Sequence, residues 1–174
     1  MHMLKSAARK AAPVLLLAGA LIASDARSQQ PNPYGAPISI EAARRAAVAA
    51  LVEGKKNGWT VAAAVVDGGG ALVYFERIDG TQSGSSEVAV AKARSAAAFK
   101  RPTKAFEEAL AGGRQALLSL PGAIALEGGI PLILDSKIVG AIGVSGATSP
   151  QDGVCAQAGV NAITPKAAVA GAKK

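Results

Sequence analysis

Histidine is nearly missing from this 174-residue chain, which carries it once, at position 2; methionine occurs twice, cysteine once, and Phe, Trp and Tyr together make up 3 %. Each scarcity excludes something. A single cysteine, Cys155, cannot form an internal disulfide, so the fold must rest on packing or assembly. Zinc sites need His and Cys clusters, so a metal site is not expected. Hard-cation ligation by Asp67, Glu76, Asp79 or Asp152 competes with the ordinary roles of such residues in turns and at helix starts. No Ser–His–Asp triad exists once residue 2 is removed with the N-terminal segment. Lys and Arg outnumber Asp and Glu by 19 to 12. They are scattered among the acids without aromatic interleaving, which excludes the pattern of a nucleic-acid binder. Beyond residues 11–23 no apolar run approaches membrane-spanning length.

What is present begins with an export signal. Lys5, Arg9 and Lys10 precede the apolar stretch 11–23, and Ser24-Asp25-Ala26 or Ala26-Arg27-Ser28 supplies small residues for cleavage. The expectation is a signal peptide over 1–28, a Pro-rich linker over 29–37, one domain over 38–164 and a basic flexible tail over 165–174. The mature protein is then periplasmic or secreted, with no membrane segment after cleavage.

The domain reads as a helix, a hairpin, two helices, three strands and a helix. Ser39 caps a first helix whose stripe is Ala42, Ala43, Ala46, Ala47, Ala50 and Leu51, ended by Asn57-Gly58. Two apolar runs, 60–67 and 71–77, flank Asp67-Gly68-Gly69-Gly70, a strong hairpin signal. Ser85 or Ser86 starts a helix to about residue 99, and Thr103 caps a short one to 111. Strands are expected at 123–126, 130–134 and 138–145, and a last helix is expected with Ser149 as cap and Pro150 in its first turn. Two meanders separated by helices give an α+β fold with a five-stranded antiparallel sheet.

The chemistry-bearing residues cluster at the hairpin exit and beyond. Arg77 and Asp79 close the second strand. Lys92 shares a helix face with Val88, Ser95 and Phe99, a setting in which a lysine needs a partner. Gly143, Ser145 and Gly146 form a glycine-rich passage toward a helix start, where backbone N–H groups hold anions. The expected ligand-binding set is Arg77, Asp79, Lys92, Ser95, Thr103, Gly143, Ser145 and Gly146, with Tyr74 as a haem contact. Cys155 reads as buried and inert. Neither a Walker motif nor a dinucleotide fingerprint is present.

Together, Val65-Val66-Asp67 with its glycine turn, Arg77-Ile78-Asp79-Gly80, Lys92-Ala93-Arg94-Ser95-Ala96 with Arg101-Pro102-Thr103, Gly128-Gly129-Ile130-Pro131, and residues 140–146 with Asp152 resemble the GlcG/HbpS-like family. The family is also described as haem-degrading or haem-binding, and includes the C-terminal domain of PduO-type proteins. The resemblance implies a profilin-like fold, homo-oligomers and haem as a ligand. A mature chain without His or Met would ligate iron through Tyr34, Tyr74, Cys155, a lysine or Ser95, or through none, leaving propionate pairing with Arg or Lys. Three functions follow as alternatives: a binding module for haem or another anionic organic ligand, an enzyme on small oxo- or hydroxy-acids using Lys92 and Arg77, and a purely structural oligomer.

Overall fold

A computed structural model describes residues 31–164. The expected signal peptide and basic tail lie outside the described residues. The element order is α1 (Ile40–Lys56), β1 (Ala62–Asp67), β2 (Leu72–Arg77), α2 (Gly84–Phe99), α3 (Lys104–Ala111), a 3-10 helix (Gln115–Ser119), β3 (Gly129–Leu134), β4 (Lys137–Ser145) and α4 (Ser149–Ile163). The strands form one antiparallel sheet in the order β2-β1-β4-β3. Among the described residues no helix is long and apolar enough to cross a membrane.

The α+β class agrees with expectation; the fifth strand does not. Residues 123–126 carry no strand. Four small or aliphatic residues in a row look like a buried strand, but Leu126 is exposed and the stretch finds no strand partner. Its backbone is instead held at Ile124, whose N–H donates to Ser95 Oγ at 3.0 Å.

Alternation along β1 sorts the core into two layers. Val61, Ala63 and Val65 join Ile142 and Val144 under α1 and α4. Ala62, Ala64 and Val66 face α2 with Ala89, Ala93 and Ala141. The stripe on α1 is buried as expected, and Ser39 Oγ accepts from the Ala42 N–H. Asp67 is a turn residue, its Oδ1 accepting from the N–H groups of Gly69 and Ala71 at 2.9 Å each. Pro33 and Gly35, within the expected linker 29–37, are bonded along β4: the Ile138 N–H donates to the Pro33 carbonyl and the Gly35 N–H to the Ile138 carbonyl, and Ile38, the first residue of the expected domain, donates its N–H to the Val139 carbonyl.

Small residues set the layer spacing. A Cβ on Gly143 would stand 2.1 Å from the Ala89 carbonyl oxygen, and one on Gly159 would stand 2.7 Å from that of Ala46. Helix α2 therefore lies directly on β4, and α4 directly on α1. Three helix starts differ from expectation. Thr148, not Ser149, forms the capping box of α4, with Gln151 as its reciprocal partner. Helix α2 starts at Gly84 after Ser83, which makes no side-chain cap, so Ser85 and Ser86 are already helical. Thr103 precedes α3 without a capping hydrogen bond, its hydroxyl serving the sheet instead.

Candidate functional site

Helix α2 carries Lys92 on its buried side, and the side chain is 2 % exposed. Such a cation needs compensation, since burying an unpaired charge is costly. Its ammonium donates to Asp152 Oδ2 at 2.7 Å and to the Val144 carbonyl at 3.1 Å. Asp152 comes from the first turn of α4 and is equally buried. Its other oxygen accepts from the Ala147 N–H at 3.0 Å. Burial raises the Asp152 carboxyl above its ordinary value, and the Lys92 ammonium and the N–H groups of Ala147 and Gly146 counter that rise.

Gly128 makes the pair possible. A Cβ there would stand 2.6 Å from the Val144 oxygen, 2.9 Å from Asp152 Cβ and 3.0 Å from Lys92 Nζ, and its φ of +126° suits glycine. Gly129 is equally constrained, since a Cβ would meet the Lys92 carbonyl oxygen at 2.4 Å. Thr103 locks this strand start: its Oγ1 accepts from the Gly129 N–H at 2.9 Å while its own N–H donates to the Gly129 carbonyl at 2.9 Å.

Beside Gly128 and Gly129 opens a cavity of about 350 Å³ between α3 and α4, its lining including Pro102, Lys104, Glu127, Ile130, Val154 and Gln157. The walls are largely apolar. Lys104 Nζ meets Glu127 Oε2 at 3.0 Å, and this contact raises the exposed ammonium above its ordinary value. Glu127 is itself positioned by its N–H, which donates to Glu107 Oε2. Its carboxylate also lies where a Cβ on Gly153 would stand. The arrangement can hold an organic body against Ile130 and Val154 with an acidic group at the Lys104 rim.

The expected residues separate into two groups. Lys92, Ser95 and Thr103 are buried behind the cavity floor. Lys92 has its carboxylate, so it is an ion-paired ammonium and not a free base. Ser95 Oγ is occupied by the Ile124 N–H and Thr103 by Gly129. Arg77, Asp79, Ser145 and Gly146 lie at the same end of the sheet, where Arg77 pairs with Ala62 and Ala62 with Ser145. Arg77 and Asp79 are exposed, and among the described residues neither enters an ion pair or a side-chain hydrogen bond. Gly143 is filled by the α2 backbone and Gly146 approaches the Thr60 carbonyl, so neither leaves backbone open to a ligand.

Three of the expected iron donors, Cys155, Tyr34 and Tyr74, are buried or hydrogen-bonded. Cys155 is fully buried, and burial pushes its thiol up to about 11. Tyr34 donates to the Ala97 carbonyl at 2.8 Å, with the Lys100 ammonium 4.2 Å from its ring centre. Tyr74 donates to Glu76 Oε2 at 2.7 Å, a bond that raises its pKa. Sequence reasoning missed Lys104, Glu127, Val154 and Gln157, which share no motif and converge only through the α3–β3–α4 packing. Asp152 was available as Lys92's partner: a lysine on an apolar helix face and an aspartate beside Gly153, Cys155 and Ala156 are two halves of one requirement.

Comparison with known proteins gives concordant matches. The family model described as "Haem degrading protein HbpS-like" matches residues 38–161. Protein GlcG of Escherichia coli K12 is 42% identical over 93 residues, spanning 53% of this chain and 69% of GlcG. The crystal structure of HbpS superimposes with a TM-score of 0.68 at 35% identity, covering 73% of this chain and 90% of that one. A crystal structure of a PduOC:heme complex gives a TM-score of 0.67 at 27% identity, covering 73% and 95%.

Proposed function

The chain belongs to the HbpS-like family of haem-degrading proteins, and from that membership we propose that it is an exported binding module for a small anionic organic ligand, haem among the candidates. The carrying observation is the apolar cavity over Gly128 and Gly129 with the Lys104 ammonium at its rim. Its size lies at the small end of organic-ligand sites, about 300–1,000 Å³. An acidic group replaces Glu127 as the partner of Lys104, and the hydrophobic body lies on Ile130 and Val154. The buried Lys92–Asp152 pair fixes the floor and does not touch the ligand. The family and the PduOC:heme complex support haem as a candidate.

Haem ligation is a poorer fit. Residues 31–164 contain neither His nor Met, the free thiol of Cys155 is buried, and Tyr34, Tyr74 and Ser95 are hydrogen-bonded elsewhere. No step is therefore assigned to iron. An enzyme using Lys92 as a base draws no support from an ammonium held by a carboxylate 2.7 Å away.

Haemin titration of the purified chain tests the reading. Val154→Trp fills the cavity from an exposed position on α4 and abolishes binding, while Lys104→Glu weakens it about tenfold, or about 1.4 kcal/mol. Binding that survives both substitutions overturns this site.

We further read the layered domain as profilin-like and self-associating. The stretch from Gln115 to Leu126 carries no charge, and Leu118, Leu120 and Leu126 are exposed there. Light scattering expects a multimer that Leu118→Glu with Leu120→Glu reduces; an unchanged mass excludes this surface. Export expects a periplasmic mature form beginning near residue 27 or 29, checked by intact mass.

A further inference from the structure

We infer that the cavity between α3, β3 and α4 selects an α-amino acid with an apolar side chain over a plain organic acid. The inference rests on the ligand-binding reading above and narrows it to acids that carry an ammonium beside the carboxylate.

The charges at the rim make that selection. Among the described lining residues Lys104 is the only cation and Glu127 the only acid. They are already paired, Nζ to Oε2 at 3.0 Å, and the Glu127 side chain is 19% exposed against 52% for Lys104. A plain acid that takes Lys104 leaves this partly covered carboxylate without its cation. One ion pair is then exchanged for another, and the displaced charge is a cost.

The surroundings enlarge that cost. Glu107 and Glu108 follow Lys104 on α3 at the spacings that bring helical side chains together. Both act on the Lys104 ammonium, and Glu107 Oε2 also accepts the Glu127 N–H. Three carboxylates thus share one lysine, and a ligand that brings only another carboxylate adds to the excess.

A second cation is what the geometry asks for. Among the described residues Glu127 Oε1 and Gln157 Oε1 accept no hydrogen bond, since Lys104 takes Oε2 and the Gln157 amide nitrogen donates to Asn161. An incoming ammonium has three N–H donors to offer such oxygens. Lys104 and Glu127 are in contact, so the complementary charges of the ligand must also sit close together, as on one α-carbon. Ile130, Val154 and Pro102 then receive its side chain. A cavity of about 350 Å³ suits a compact body of this kind.

Calorimetric titration of the full chain compares leucine and phenylalanine with isocaproate and hydrocinnamate, the same skeletons without the amino group. At least one amino acid is expected to bind about tenfold more tightly than its counterpart, and Glu127→Gln to erase that preference. Equal affinities, tighter binding of the plain acids, or a preference that survives Glu127→Gln overturns the inference and leaves the ligand-binding reading in place. The inference alone also falls if these ligands all fail where haemin binds. Failure of haemin as well overturns both.

Discussion

Lys92 and Asp152 show how a single pair fixes the interior. Each is buried almost completely, and among the described residues each is the other's only counter-charge within hydrogen-bond reach. Removing one partner strands the other in a dry site, which costs about 3–5 kcal/mol. Lys92→Met and Asp152→Asn are therefore each expected to lower the unfolding free energy by several kcal/mol in urea titration. The double variant should lose much less than the sum, because the stranded charge is gone. Additive losses would show that the two side chains act separately. Cys155 carries a different expectation. Its thiol ionises near 9.0 when the chain is unfolded but only near 11 when folded. Between those values the unfolded chain gives up a proton that the native chain retains, so stability falls as pH rises through that window. Calorimetry from pH 8.5 to 11 should show Tm descending more steeply in the natural chain than in Cys155→Ala, while native protein at pH 8 resists thiol reagents. Identical slopes would count against a buried, protonated thiol.

At the level of elements, the hairpin and α1 were legible because local chemistry decides them. Asp67 followed by three glycines encodes its own turn, and an alanine stripe ending in Asn57-Gly58 encodes its own helix. Residues 123–126 misled because a short apolar run carries no record of whether a neighbouring strand exists to pair with it. The start of α4 was placed one residue late because Thr148 and Ser149 are both competent caps, and Gln151 decides between them through its bond to the Thr148 N–H. Gly143, expected in an anion-holding passage, is closed over by helix α2, while Gly140 in the same strand makes room for the Val66 carbonyl of β1. Gly143→Ala must push its new methyl against the Ala89 carbonyl and the Ala93 N–H, both backbone atoms of a rigid helix. Overpacking of this kind costs about 1–3 kcal/mol. A Tm lowered by several degrees is expected, and an unchanged Tm would mean that α2 lifts off β4 without penalty. Gly58→Ala, in open space at φ +72°, gives the control for backbone conformation alone.

On the scale of the molecule, the candidate site was half readable. Lys92 announced a need for a partner, and the resemblance collected Gly128, Gly129 and Asp152 into one set before any coordinates placed them together. Lys104 and Val154 stayed hidden, since a surface lysine and an exposed valine look alike in every soluble helix. Their role exists only where α3, β3 and α4 meet. The arrangement of layers adds a last consequence. Helix α2 lies on one face of the sheet and α4 on the other, yet the Lys92–Asp152 bond reaches round the end of β4 to join them. Opening either layer first would expose a naked charge, so the two helices must open as a single cooperative unit. Amide exchange should then report one shared protection energy for the buried turns of α2 and α4, splitting into two when Lys92 and Asp152 are both replaced by apolar residues. A pair that looks like a local repair to a buried lysine thus makes the two faces of the sheet one kinetic object.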